Sequence, residues 1–270
     1  MLARHISPLV LVIVVAAVAA AADDASPQGT KPGRAPQAII LKLDDVTSNG
    51  ARGNVPVSPR WQRVADFIEQ SKLKASFGII GSSLEQDNPA YFNWIKDLRR
   101  RGNIEFWNHG YKDRKAADKT GEFEGSYDEQ FTALRRTQTL AREKLGFELK
   151  AFGPHWSGTT GDTVKALDAL PDITMWFYGP KDSKKFVFER ILTLENPTFV
   201  PDFEKFKQIY ESRACDKPCL ALQGHPNAWD EKRWQGFVKI IDYLRSKGCV
   251  FTTPSEFLSA GVRSSSKTEP

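Results

Sequence analysis

The sequence predicts an α/β fold, an irregular (β/α) barrel of about seven parallel strands. Short apolar runs alternate along the chain with amphipathic stretches of helical spacing, the pattern of a parallel sheet with crossover helices. The apolar runs are brief and mostly lack apolar/polar alternation, as strands covered on both faces do. Every histidine except His5 directly follows one of these runs. In such barrels the chemistry sits at the C-terminal ends of the strands.

The first residues read as an export signal. Leu9 to Ala20 are almost purely apolar, and Ala20-Ala21-Ala22 fits an A-x-A cleavage site before Asp23, so residues 1–22 are expected to be a signal peptide. The run is short for a membrane span, which needs roughly 20 apolar residues. No other run is long enough, so no span is expected after cleavage, and the folded part is expected to be secreted or periplasmic. Residues 23–36 are rich in Pro, Gly and polar residues and read as a flexible linker. Residues 37–261 form the expected catalytic domain, and 262–270 a polar tail.

Within the domain the expected strands are Ala38–Leu43, Ala75–Ile80, Ile104–Trp107, Lys150–Phe152, Ile173–Tyr178, Leu220–Leu222 and Cys249–Thr252. Helical stripes lie between them. Trp61, Val64, Ala65 and Ile68 form one, and Tyr91, Trp94, Ile95 and Leu98 a second. Phe131, Leu134, Ala141 and Leu145 share a third face, and Trp234, Phe237, Val238 and Ile241 a fourth. Gly102, Gly146 and Gly248 supply helix stops.

The net charge of +5 comes from Lys and Arg spread along the chain, which reads as a solvated surface, and there is no nucleic-acid-binding motif. The three cysteines, in an oxidising compartment, suggest one disulfide and one buried thiol, with Cys215–Cys219 and Cys219–Cys249 as the rival pairs.

The polar residues after the strands are suited to converge. The first strand ends in Asp44-Asp45 and the third in Asn108-His109, followed by Asp113. The fourth ends in Gly153-Pro154-His155-Trp156, the sixth in Gln223-Gly224-His225-Pro226-Asn227. A divalent, zinc-like ion takes imidazole and carboxylate ligands with a position left for water. Asp45, His109 and Asp113 can supply three, the last two spaced to face one point. Such an ion lowers the pKa of its water to about 7, and Asp44 is placed to act as base on that water. A backbone N–H near Tyr111 is a candidate partner for the oxyanion. Trp156 and Trp229, in loops after strands, are candidate platforms for sugar rings, with His155 and Asn227 as further substrate contacts. The Gly-bounded loop Thr120–Gly125 reads as a rim or lid.

The order of Leu43-Asp44-Asp45-Val46, Asn108-His109-Gly110-Tyr111-Lys112-Asp113, Phe152-Gly153-Pro154 and Gln223-Gly224-His225 resembles the polysaccharide deacetylase family, over most of the chain to Phe257. The resemblance implies an irregular α/β barrel that hydrolyses N- or O-acetyl groups on a polysaccharide or oligosaccharide. It implies Asp44 as base, Asp45, His109 and Asp113 as ligands of a metal that is usually zinc, and His225 as general acid. The sequence departs from the family pattern in three places. Asp113 stands where the family has a second His, Gly153 where it has an Arg that orients the base, and Val46 where it has Gly. His155 and Lys42 are both candidates to replace that Arg. Two rival functions fit the same residues: a carbohydrate-binding protein without catalysis, and a glycosidase with Asp44 and Asp113 as paired carboxylates.

Overall fold

The central strand, β1 (Ala38–Val46), is buried on both faces because its side chains supply two cores at once. Ile39, Leu41 and Leu43 point towards the surrounding helices, while Ile40, Lys42 and Asp44 point into the barrel. The structure, a computed structural model, describes residues 35–112 and 118–265. The expected signal peptide, nearly all of the linker, Asp113 and the end of the tail lie outside the described residues.

All strand pairings are parallel. After β1 come β2 (Ala75–Ile79), β3 (Ile104–Asn108), β4 (Ala151–Phe152), β5 (Met175–Phe177), β6 (Phe186–Phe188), β7 (Cys219–Gly224) and β8 (Val250–Phe251). Their order in the curled sheet is β6-β5-β4-β3-β2-β1-β7, with β8 beside β1. β7 runs along one edge of β1, and the other edge is shared by β8 at Ala38 and Ile39 and by β2 from Lys42 onward. β6 is the one strand absent from the sequence reading, since three residues carry no readable period. β6 and β7 do not pair, so the barrel has a seam. Among the bonds that cross it, Leu194 N–H and Thr193 Oγ1 donate to the Gln223 carbonyl, each at 3.0 Å, and Tyr178 Oη donates to that of Ala221 at 2.8 Å.

The helices bury the expected stripes. In α1 (Pro59–Gln70) Ser58 caps the N-terminus and Trp61, Val64, Ala65 and Ile68 are buried. In α2 (Pro89–Arg101) Tyr91, Ile95 and Leu98 are buried, and Trp94 packs at the edge. α3 (Tyr127–Leu140) ends in a wide turn, Ala141–Leu145, that keeps Ala141 and Leu145 inside. α4 (Gly161–Asp168) and α5 (Phe203–Ile209) are too short to show a stripe. In α6 (Glu231–Ser246) Trp234, Phe237 and Ile241 are buried. Gly102, Gly146 and Gly248 all have positive φ, as helix stops do.

Trp107 and Phe177 fill the barrel interior with Ile40, Met175 and Ala221. Gly78 makes room for them, because a Cβ there would lie 2.5 Å from the Trp107 ring. The end away from the site is closed by α7 (Pro254–Ser265). Glu105, in the first half of β3, accepts from Ser255 N–H at 2.9 Å and Oγ at 2.7 Å, and Phe257 and Leu258 pack on the interior.

The expected disulfide does not form: Cys215, Cys219 and Cys249 are free thiols. Cys219 opens β7 and Cys249 precedes β8, on opposite edges of β1. Two strand spacings are roughly 10 Å, beyond the reach of a disulfide. No helix among the described residues is long and apolar enough to cross a membrane.

Candidate active site

A bulge at the end of β1 creates the centre of the site. Leu43 and Val46 lie opposite Phe77 and Ile79, so three steps on β1 face two on β2. Asp45 takes up the extra residue with φ +75°, a conformation that Asp tolerates better than most residues. The bulge turns Asp45 so that both neighbouring carboxylates serve the same space.

Asp45 Oδ1 lies 3.1 Å from His109 Nε2 and 3.0 Å from His155 Nδ1. His109 follows β3, and its Nδ1 sits 2.6 Å from the Gly153 carbonyl oxygen. A carbonyl only accepts, so Nδ1 carries the proton and, in the neutral ring, Nε2 presents a lone pair towards Asp45. Two acceptors facing each other at this distance call for a cation between them. The three ligating atoms all lie within 4.8 Å of one another. Zinc bonds of about 2.0–2.2 Å put neighbouring tetrahedral ligands roughly 3.4 Å apart, near the 3.1 and 3.0 Å between Asp45 Oδ1 and the two imidazoles. Burial opposes ionisation of Asp45, but the two imidazoles beside it hold its carboxyl well below the usual range. The donor set therefore fits a divalent metal. His155, which the sequence reading placed among substrate contacts, supplies the third ligating atom among the described residues; Asp113, expected there, lies outside them.

Asp44 is almost fully buried. Lys42 Nζ contacts both of its oxygens, at 2.6 and 2.7 Å, and Gln223 Nε2 donates to Oδ2 at 2.7 Å. Burial opposes ionisation, and the charges of Lys42 and His225 outweigh it, holding the carboxyl below its usual range. Lys42 is itself buried, its ammonium 4.6 Å from the centre of the Trp107 ring. Of the two candidates for the missing Arg, Lys42 is the cation that grips Asp44. A Cβ on Gly153 would lie 3.2 Å from Lys42 Cε and 3.0 Å from Trp107, so the lysine stem uses the space a side chain at 153 would need.

His225, after β7, points Nε2 at Asp44 Oδ2, 3.7 Å away. Its Nδ1 donates to Glu195 Oε2 at 2.7 Å. Sequence reasoning missed Glu195. Its buried carboxylate also accepts from the backbone N–H of His225 and Trp229 Nε1, both at 2.7 Å, and from Phe199 N–H at 2.9 Å. The signal available was one acid in the apolar stretch Ile191–Val200. Burial disfavours a charged His225, but the Glu195 hydrogen bond and the charge of Asp44 outweigh it and raise its pKa.

Of the remaining expected contacts, Tyr111, Trp229 and Asn227 are engaged with other residues, and Trp156 stays exposed beside His155. The Tyr111 N–H, a candidate for the oxyanion, donates to Glu122 at 2.8 Å, and the Tyr111 hydroxyl donates to Glu85 at 2.8 Å. Trp229 is buried and stacks on Phe237, so it offers no open face. Asn227 Oδ1 accepts from Ser58 at 2.5 Å and ties its turn to the start of α1. Trp156 is 56% exposed, its ring 6.3 Å from that of His155. The stretch Thr120–Gly125 is anchored by the fully buried Phe123 and by Glu122, which suits a fixed wall better than a lid.

No family model matches the sequence, and no curated protein matches it. Solved structures do. The Xyl-CE4 domain of a multidomain xylanase from the hindgut metagenome of Trinervitermes trinervoides is 19% identical, with a TM-score of 0.58 over 84% of this chain and 92% of that one. A family 4 acetyl xylan esterase from Clostridium thermocellum, in complex with a cobalt ion, is 19% identical, with a TM-score of 0.57 over 83% and 91%. A CE4 family pseudoenzyme from Bacillus anthracis is 16% identical, with a TM-score of 0.56 over 82% of this chain and 65% of that one. At these identities the likeness shows the fold. The chain shares the (β/α)-barrel fold of these structures, and an Asp-His-His cluster at its strand ends could hold a metal ion.

Proposed function

We propose that the chain is an exported, metal-dependent hydrolase that removes N- or O-linked acetyl groups from a polysaccharide or oligosaccharide. One observation carries the reading. A cluster fit to hold a cation (Asp45, His109, His155) adjoins a buried carboxylate, Asp44, and an imidazole, His225, whose Nε2 faces that carboxylate. The carbohydrate substrate rests on the chemistry of the structural neighbours, and export on the apolar N-terminus.

Asp44 is paired with Lys42, Asp45 with His109 and His155, and Glu195 with His225. Asp45, His109 and His155 would hold the ion, and two nitrogens with one oxygen suit zinc. When bound, the ion supplies Lewis acidity for the acyl carbonyl and a lowered pKa for water. Asp44, ionised by its neighbours, takes the proton of the attacking water. Lys42 and Gln223 fix the direction of that carboxylate. His225, with Nδ1 tied to Glu195 and its pKa raised, gives a proton from Nε2 to the departing amine or alcohol.

A carbohydrate-binding protein without turnover is the second reading. The double contact of Lys42 with Asp44 favours it, because it occupies lone pairs a base needs. The test is metal analysis of the wild-type protein with acetate release from acetylated xylan and N-acetylated chito-oligosaccharides. Bound metal and released acetate support the hydrolase. Glycan affinity without acetate release selects the binder, and neither metal nor acetate overturns the proposal.

A further inference from the structure

Four large hydrophobic side chains are exposed among the described residues, and two of them, Trp156 and Phe199, border the site. The Phe199 ring stands edge-on to His225, with centroids 4.9 Å apart. It is 46% exposed, so burial does little to hold it there. Its φ is +70°, a left-handed conformation that strains a bulky residue.

The conformation is imposed from below. Phe199 N–H donates to Glu195 Oε2 at 2.9 Å, Asn196 N–H to the Val200 carbonyl at 2.9 Å, and Val200 N–H to that of Pro197 at 3.0 Å. Glu195 and Pro201 bridge the base of this knuckle. The carboxylate oxygen that accepts from Phe199 also accepts from His225 Nδ1. One buried acid thus fixes an imidazole and, beside it, an aromatic ring open to solvent. A single exposed Phe needs no explanation. A strained one, locked beside the proposed proton donor, has a use for its open face.

We propose that Phe199 is a substrate contact that selects for a sugar ring: its face packs on the apolar side of the residue carrying the acyl group and sets the leaving atom near His225 Nε2. Aromatic faces bury apolar surface at little conformational cost, and a few such contacts set specificity in carbohydrate clefts. The inference rests on the hydrolase reading for the role of His225, whereas the stacking itself needs no turnover.

The test compares wild type, Phe199→Gly and Phe199→Trp. Glycine is at ease at φ +70°, so Phe199→Gly keeps the fold. Affinity for N-acetylchitohexaose and for an acetylated xylo-oligosaccharide is measured by calorimetry, and turnover of 4-nitrophenyl acetate, which has no sugar, serves as control. Phe199→Gly is expected to lose about tenfold in glycan affinity, a larger loss than in turnover of the small ester, and Phe199→Trp to retain both. Glycan affinity unchanged in Phe199→Gly, an equal loss on the small ester, or no wild-type affinity for either glycan overturns the inference. If wild type binds glycan through Phe199 yet releases no acetate from any substrate, the hydrolase reading fails and this contact stands.

Discussion

Lys42 and Asp44, two residues apart on one strand and both turned into the barrel, form a buried ion pair in which one ammonium meets both carboxylate oxygens. Lys42→Met would leave Asp44 buried without its cation, which destabilises by about 3–5 kcal/mol. The sign of the pH effect follows. Burial raises the Asp44 pKa and Lys42 lowers it, so without Lys42 it moves up and the acid limb of activity shifts to higher pH. Denaturant unfolding and a pH–rate profile check both.

Asp44→Asn keeps the shape but cannot take a proton. The expected result is a loss of about 10²–10⁴ in kcat with metal content unchanged. Steady-state kinetics beside elemental analysis would show it, and a variant with full activity and full metal would contradict the base role.

Asp45→Ala and His155→Ala each remove one atom of the cluster that His109 completes. Metal affinity is expected to fall by at least about tenfold in either variant, measured by competition with a chelator. If His155→Ala binds metal as tightly as wild type, the third ligand lies outside the described residues, and Asp113 becomes the candidate.

Glu195→Gln keeps hydrogen-bonding capacity but removes the charge that helps raise the His225 pKa. A proton donor works below its pKa, so activity is lost as pH rises through it. Lowering that pKa moves the alkaline limb to lower pH, while the acid limb, set by Asp44, stays put. A pH–rate profile of both proteins distinguishes the two limbs.

The parallel barrel was legible because β1, β2 and β3 are mostly apolar and because the Trp61, Tyr91 and Trp234 stripes keep helical spacing. Asp44, Asp45, His109 and His225 stood out since each closes a strand, and strand ends of one barrel meet. The choice between Lys42 and His155 as partner of Asp44 needed coordinates, because it turns on the space that Gly153 leaves empty. Glu195 was hidden in the irregular connection between β6 and α5, where no period marks a buried position. Trp229 looked like a platform from its place after β7, but its indole N–H is drawn inward by that same Glu195.

The seam between β6 and β7 divides the work of the barrel. Asp45, His109 and His155 all follow strands of the continuously paired β1–β4 stretch, whereas Glu195 reaches His225 from the far lip of the gap. A breathing motion that parts the two lips would let His225 swivel while the cluster around Asp45 keeps its shape. In the proposed hydrolase, proton delivery is therefore the step most exposed to strain, temperature or mutation at this edge, and it would fade before the hold on an ion does.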